Sequence, residues 1–204
     1  MTNGLNTRPI DPPIRRIAMV SVHGCPMVTP GMRSAGGMNV YLRKIAPLLA
    51  DSGICVDLFT RIHHAGGPEV FEFGPNTRVI HLPAGPAELV KTEVLPYLPG
   101  YGERLSSFVE DEGLGYDLVH SHYWLSGRAG QRLAGELGVP HVLNFHTVAE
   151  IKERASAELE LPERKETEAE LAASADLLFT FTEEERSDLR TLFGIPDDAT
   201  HVVP

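Results

Sequence analysis

Asp117-Leu-Val-His-Ser-His-Tyr-Trp-Leu-Ser-Gly-Arg-Ala-Gly-Gln-Arg-Leu-Ala-Gly-Glu-Leu-Gly-Val-Pro-His-Val-Leu-Asn-Phe145 reads as one strand, one helix and a second strand. The runs 118–122 and 141–145 have the length of strands buried within a parallel sheet. Between them, 125–137 has a helical pattern, and Gly138 with Pro140 stops it. A helix that returns the chain to begin a second strand makes the two strands parallel, joined by a right-handed crossover. Working outward, further short apolar runs lie at 17–22, 55–60, 79–82, 177–181 and 201–203. Helical patterns lie between runs at 38–50, 101–112, 163–174 and 183–193, and Thr182-Glu-Glu-Glu resembles a capping box. This alternation predicts an α/β fold, a Rossmann-like, doubly wound and mainly parallel sheet with helices on both faces. In such a sheet the ligand sits at the C-terminal strand ends.

The chain has 204 residues, 42% hydrophobic and 23% charged, enough for one domain that folds without staples. Residues 1–14 read as a loose tail and 15–204 as the domain. Cys25 and Cys55 exclude a disulfide framework, and neither has a partner at C-x-x-C spacing, which fits a cytoplasmic protein. No stretch approaches the roughly 20 apolar residues of a membrane span, and the polar, Pro-rich N-terminus is not a secretion signal. The net charge of −10 argues against nucleic acid or anionic membrane as a partner. Any phosphate must therefore be held by a few local groups. The segment 149–165, rich in Glu but carrying Lys152, Arg154, Arg164 and Lys165, reads as a solvated helix plus loop.

The loop 23–37 is about 15 residues long, well beyond the usual strand-to-helix connection, which marks it as functional. It ends in Gly36-Gly37-Met38-Asn39-Val40-Tyr41 at the start of a helix. Paired glycines there let backbone N–H groups and the helix dipole meet a phosphate, although a tight turn alone also accounts for them. An NTPase loop is excluded, because Gly37 and Met38 stand where Lys and Ser/Thr are needed. The dinucleotide fingerprint is missing too, which leaves an NADP-binding oxidoreductase domain, with Arg61 on the 2′-phosphate, as a secondary reading. His120 and His122 share one strand face, so a metal is conceivable with His146 or His23 as third ligand. No carboxylate motif and no D-x-D accompany them, and the expectation is no metal and no cofactor.

His23 in Ser-Val-His-Gly-Cys-Pro, Ala35-Gly-Gly-Met-Asn-Val-Tyr41, Val56-Asp-Leu-Phe-Thr-Arg61, Ala84-Gly-Pro86, His120-Ser-His-Tyr-Trp-Leu-Ser-Gly127, His146-Thr147 and Ala175-Asp176 follow one another in a telling order. Over residues 15–204 that order resembles the N-terminal half of family 4 glycosyltransferases, retaining enzymes of the two-domain GT-B fold. The likeness is strongest to the mycothiol branch, whose members transfer N-acetylglucosamine to inositol 3-phosphate, and weaker to sucrose-phosphate synthases.

The resemblance implies a nucleotide-sugar donor as co-substrate, UDP-linked, and a small phosphorylated acceptor such as inositol phosphate. It implies transfer with retention and without metal. By position it implies Gly36 and Gly37 on the donor phosphate, His146 against the transferred sugar, and Asn39, Lys91, Tyr123, Thr147 and Arg164 on the acceptor. It also implies a C-terminal nucleotide-sugar domain absent from this chain, without which the chain has no turnover. A homodimer is open, and a noncatalytic sugar-phosphate-binding fragment is the other reading. Glu150/Glu158 and Glu160/Glu168 have the E-x7-E spacing of that second domain, but in a Glu-rich segment they are assigned no function.

Overall fold

A computed structural model describes residues 13–28, 36–63, 69–156 and 159–203. The expected tail up to residue 12, residues 29–35 of the long loop, Glu158 and Pro204 lie outside the described residues. In chain order the elements are β1 (Arg16–Val20), α1 (Gly37–Asp51), β2 (Cys55–Arg61), β3 (Val70–Gly74), β4 (Thr77–Leu82), α2 (Leu98–Asp111) and β5 (Leu118–His122). They continue as α3 (Trp124–Leu137), β6 (His141–Asn144), α4 (Ala149–Ser156), α5 (Pro162–Ser174), β7 (Leu177–Thr180), α6 (Glu183–Phe193) and β8 (Thr200–Val202).

The strands form one sheet in the order β3-β4-β2-β1-β5-β6-β7-β8, parallel throughout except for the antiparallel β3–β4 pair. Both faces are covered, so the inner strands show no polar alternation. Ile17 and Met19 of β1 pack under Leu42 and Ala46 of α1, while Ala18 and Val20 join the opposite core with Tyr101, Leu105 and Leu125. Leu42, Ala46 and Ala50 recur every four residues and give α1 its buried face. Gly138 and Gly194 adopt left-handed φ values of 66° and end α3 and α6. At the start of α6 the Thr182 hydroxyl accepts the Glu185 N–H, and the Glu185 carboxylate accepts the Phe181 N–H.

All seven anticipated strands are present. β3 lies outside those seven runs, in the segment 69–73 whose place in the sheet the sequence leaves open: it is a five-residue edge strand whose Phe71 and Phe73 face inward while Val70, Glu72 and Gly74 stay exposed. It shares the sheet with β2 through β4. Among the described residues no helix is long and apolar enough to cross a membrane.

α3 lies unusually close to the sheet at Gly130. A Cβ there would stand 1.8 Å from the Ser121 Oγ, which is buried and hydrogen-bonded to His141 Nε2 at 2.8 Å. Gly130→Ala must therefore push α3 off β5 or break that bond, and we expect a loss of about 3 kcal/mol in urea unfolding. An unchanged midpoint would mean that α3 does not approach β5 this closely.

Candidate functional site

The order β2-β1-β5 sends the chain away from β1 in both directions, and the crevice opens where the C-terminal ends of β1 and β5 meet. Three segments converge there. The first is the start of α1. Gly36 and Gly37 are exposed, and a Cβ on Gly37 would meet nothing within 4 Å. Packing among the described residues thus does not explain the glycine, and a helix N-terminus offers the backbone N–H groups that an anion can use. Asn39 is buried and holds the junction together. Its Oδ1 accepts the Gly36 N–H at 3.1 Å, and its Nδ2 donates to the Cys25 carbonyl at 2.8 Å.

The second segment follows β5 and β6. Tyr123 has φ 75° and His146 has φ 60°, a strained region for side chains of this size, and each directly follows the strand it leaves or its first residue beyond. The strain turns both side chains into the crevice. The Tyr123 ring lies 4.7 Å from the His23 ring, with the Arg164 guanidinium 4.9 Å and the Lys91 Nζ 5.7 Å from its centre. His146 Nε2 is 3.0 Å from His122 Nδ1, so one proton is shared between the rings. Tyr41, one turn into α1, stacks against both His146 and Phe181 and joins the helix start to this cluster.

The third segment was read as a solvated run, and the structure corrects that. Arg164 is almost wholly buried. Its Nε donates to Glu168 at 2.7 Å, one terminal nitrogen donates to Glu160 at 2.8 Å, and the other donates to the Thr147 carbonyl at 2.8 Å and hydroxyl at 3.1 Å. Glu168 also accepts the Ala149 N–H, which locks α4 to α5. Glu160 bridges from Arg164 to Lys152. Sequence reasoning thus missed Lys152, Glu160 and Glu168. For the two acids the signal was the spacing of Glu160, Arg164 and Glu168, four residues apart, with Arg164 and Glu168 on one face of α5.

Burial opposes the Arg164 charge, but Glu168, Tyr123 and Glu160 outweigh it and raise its pKa overall. Lys91 is pushed down by desolvation and by repulsion from Lys152 and Arg164. Lys91 and Arg164 both border the Tyr123 ring, a local concentration of positive charge in a chain of net charge −10.

Arg61 does not reach into the crevice. Its guanidinium donates to the carbonyls of Ile62, Pro86, Ala87 and Leu89 and so pins the segment that leads to Lys91. That commitment removes the basis for a 2′-phosphate role. Among the described residues, the His/Cys/Asp/Glu trio with ligand atoms gathered within 4.8 Å is Cys25, His63 and His81, not the His120–His122–His146 group. A groove of about 390 Å³ between α2 and α3, lined by Leu98, Arg128 and Arg132 among others, contains none of the crevice residues.

The fold is the Rossmann-like sheet found in GT-B glycosyltransferases. Residues 36–204 match the glycosyl transferase 4-like domain, and the chain belongs to that family. It is 41% identical over 194 residues to the D-inositol 3-phosphate glycosyltransferase of Nocardiopsis dassonvillei, covering 93% of this chain and 45% of that protein. It is 42% identical over 195 residues to the enzyme of the same name from Xylanimonas cellulosilytica, covering 93% and 46%. Among solved structures, sucrose-phosphate synthase from Thermosynechococcus elongatus superposes with a TM-score of 0.84 at 30% identity, over 93% of this chain and 48% of that one. The chain spans about half the length of the curated relatives it matches.

Burial holds His23 and His120 down at about 3 and His141 and His146 at about 4, with His122 well below its ordinary value. The unfolded chain takes up these protons near pH 6.5 and the folded chain does not. Stability is therefore fully present above about pH 6.5 and falls with pH below it, by up to about 1.4 kcal/mol per unit for each histidine. Urea midpoints measured between pH 7.5 and about 5, above most carboxylate titration, should drop steeply. A flat profile would mean that the histidines are protonated in the fold.

Proposed function

We propose that this chain is the acceptor-side half of a cytoplasmic, retaining glycosyltransferase. Its donor is a UDP-linked sugar and its acceptor a small phosphorylated polyol of the inositol phosphate kind. The observation that carries the reading is the pair of cations, Lys91 and Arg164, that both lie over the Tyr123 ring. A phosphate monoester carries close to two negative charges at neutral pH, which Lys91 and Arg164 are placed to meet. Thr147 adds a hydroxyl that Arg164 already orients. The curated relatives' name, which specifies inositol 3-phosphate, supports the same acceptor class.

In this reading Gly36 and Gly37 receive the donor diphosphate, whose charge is met by backbone N–H groups and the helix dipole rather than by a metal. Asn39 acts by fixing that helix start, since both ends of its amide are engaged. His146, held neutral at pH 7 by burial, lies against the transferred sugar and donates or accepts a single hydrogen bond there. The acceptor hydroxyl attacks the anomeric carbon on the face from which the diphosphate departs, which retains configuration. Positioning and stabilisation of the leaving phosphate supply the rate. A second domain, bearing most of the donor site, completes the enzyme.

Titrating the chain with inositol 3-phosphate should shift the NMR signals of Tyr123 and Thr147, and Lys91→Ala should weaken binding about tenfold. No shift at millimolar ligand, or equal shifts with unphosphorylated inositol, would count against the acceptor assignment. Gly37→Ala should leave or slightly raise thermal stability, because the added methyl meets nothing, while weakening binding of UDP by the assembled enzyme.

A further inference from the structure

Away from the crevice, three side chains of metal-ligand type meet from separate parts of the chain. Cys25 lies in the loop after β1, His63 two residues beyond β2, and His81 within β4. The ladder brings them together: β2 lies between β1 and β4, with Thr60 paired to His81, so all three residues fall near the C-terminal end of these strands. Their ligand atoms lie within 4.8 Å of one another. Cys25 Sγ stands 3.3 Å from His81 Nε2, and the His63 and His81 rings are 5.5 Å apart with planes at 78°.

Those distances fit a shared ion. Zinc bonds of about 2.3 Å to sulfur and about 2.0–2.1 Å to nitrogen, at a tetrahedral angle, place the two ligand atoms roughly 3.5 Å apart. The surroundings fit as well. Cys25 and His81 are 1% and 2% exposed, which shields an ion from solvent. The Met27 N–H points at the Cys25 sulfur at 3.4 Å, the kind of second contact that steadies a thiolate. Phe71 packs edge-on against His81.

We propose that Cys25, His63 and His81 bind one zinc ion, with water in the fourth position. Binding replaces the thiol proton, which is released to solvent, and forms one Zn–S and two Zn–N bonds. The ion ties the loop after β1 to β2 and β4. The same Cys25 that binds it presents its carbonyl to Asn39, so the ion braces the start of α1. The site is distinct from any metal at the reacting diphosphate.

The test uses the untagged, metal-stripped chain titrated with Co²⁺ under reducing conditions. The expected result is one equivalent bound, a thiolate-to-cobalt charge-transfer band, tetrahedral d–d absorption, and loss of the signal on adding Zn²⁺. Cys25→Ser should abolish the charge-transfer band, and His146→Gln should keep it. His63→Ala, at a half-buried position, should fold and weaken Zn²⁺ binding at least about tenfold in chelator competition. Absence of the band, a band that survives Cys25→Ser, one lost only in His146→Gln, or unchanged Zn²⁺ affinity in His63→Ala would each overturn the assignment.

Discussion

β1 is hydrogen-bonded to a parallel strand on each side, β2 and β5, and this constraint sets the rest of the molecule. Parallel neighbours need crossovers, and right-handed crossovers in opposite directions put helices on both faces. The one opening they leave at this edge is where the chain turns away on both sides. The residues of the candidate site gather there: the start of α1 after β1, Tyr123 after β5, and His146 after β6. The backbone strain at Tyr123 and His146 is tolerated because the flanking ladders hold both residues in place. The Tyr123 N–H donates to the Asn144 carbonyl, and the His146 N–H to the Asn144 side chain.

Charge in the crevice is organised around Arg164. A guanidinium with so little exposure is stable only when its donors are met, and here two carboxylates and both oxygens of Thr147 meet them. Of the two acids, Glu168 is the deeper and ties α5 to α4. Glu160 is more exposed and already shares Lys152. The cluster is thus preorganised by Glu168, with Glu160 the more exposed of its two anions.

Much of the fold was legible because it rests on short-range pattern. The boundaries of α6 agree with the sequence reading because Thr182 caps its start and Gly194 takes the left-handed turn at its end. β3 was less legible and its place in the sheet was left open, since a five-residue edge strand buries only Phe71 and Phe73 and offers too short an alternation to stand out. The Glu-rich segment was read as solvated because charge runs usually are. Arg164 within it is buried instead, compensated by Glu168 just beyond its end.

What the sequence determined by itself was the order of strands and helices, the glycine start of α1, and the family likeness carried by the motifs around His23, His120 and His146. Those are properties of neighbouring residues, and local propensity and spacing suffice for them. Only the tertiary structure decided that Arg61 holds a loop rather than a ligand, that Asn39 clamps a junction, that Lys152 and Glu160 belong to the crevice, and that Cys25, His63 and His81 share one corner. Each of these depends on which strands pair and in what register, and a burial or a hydrogen bond made across 14 to 56 residues leaves no local trace in the chain.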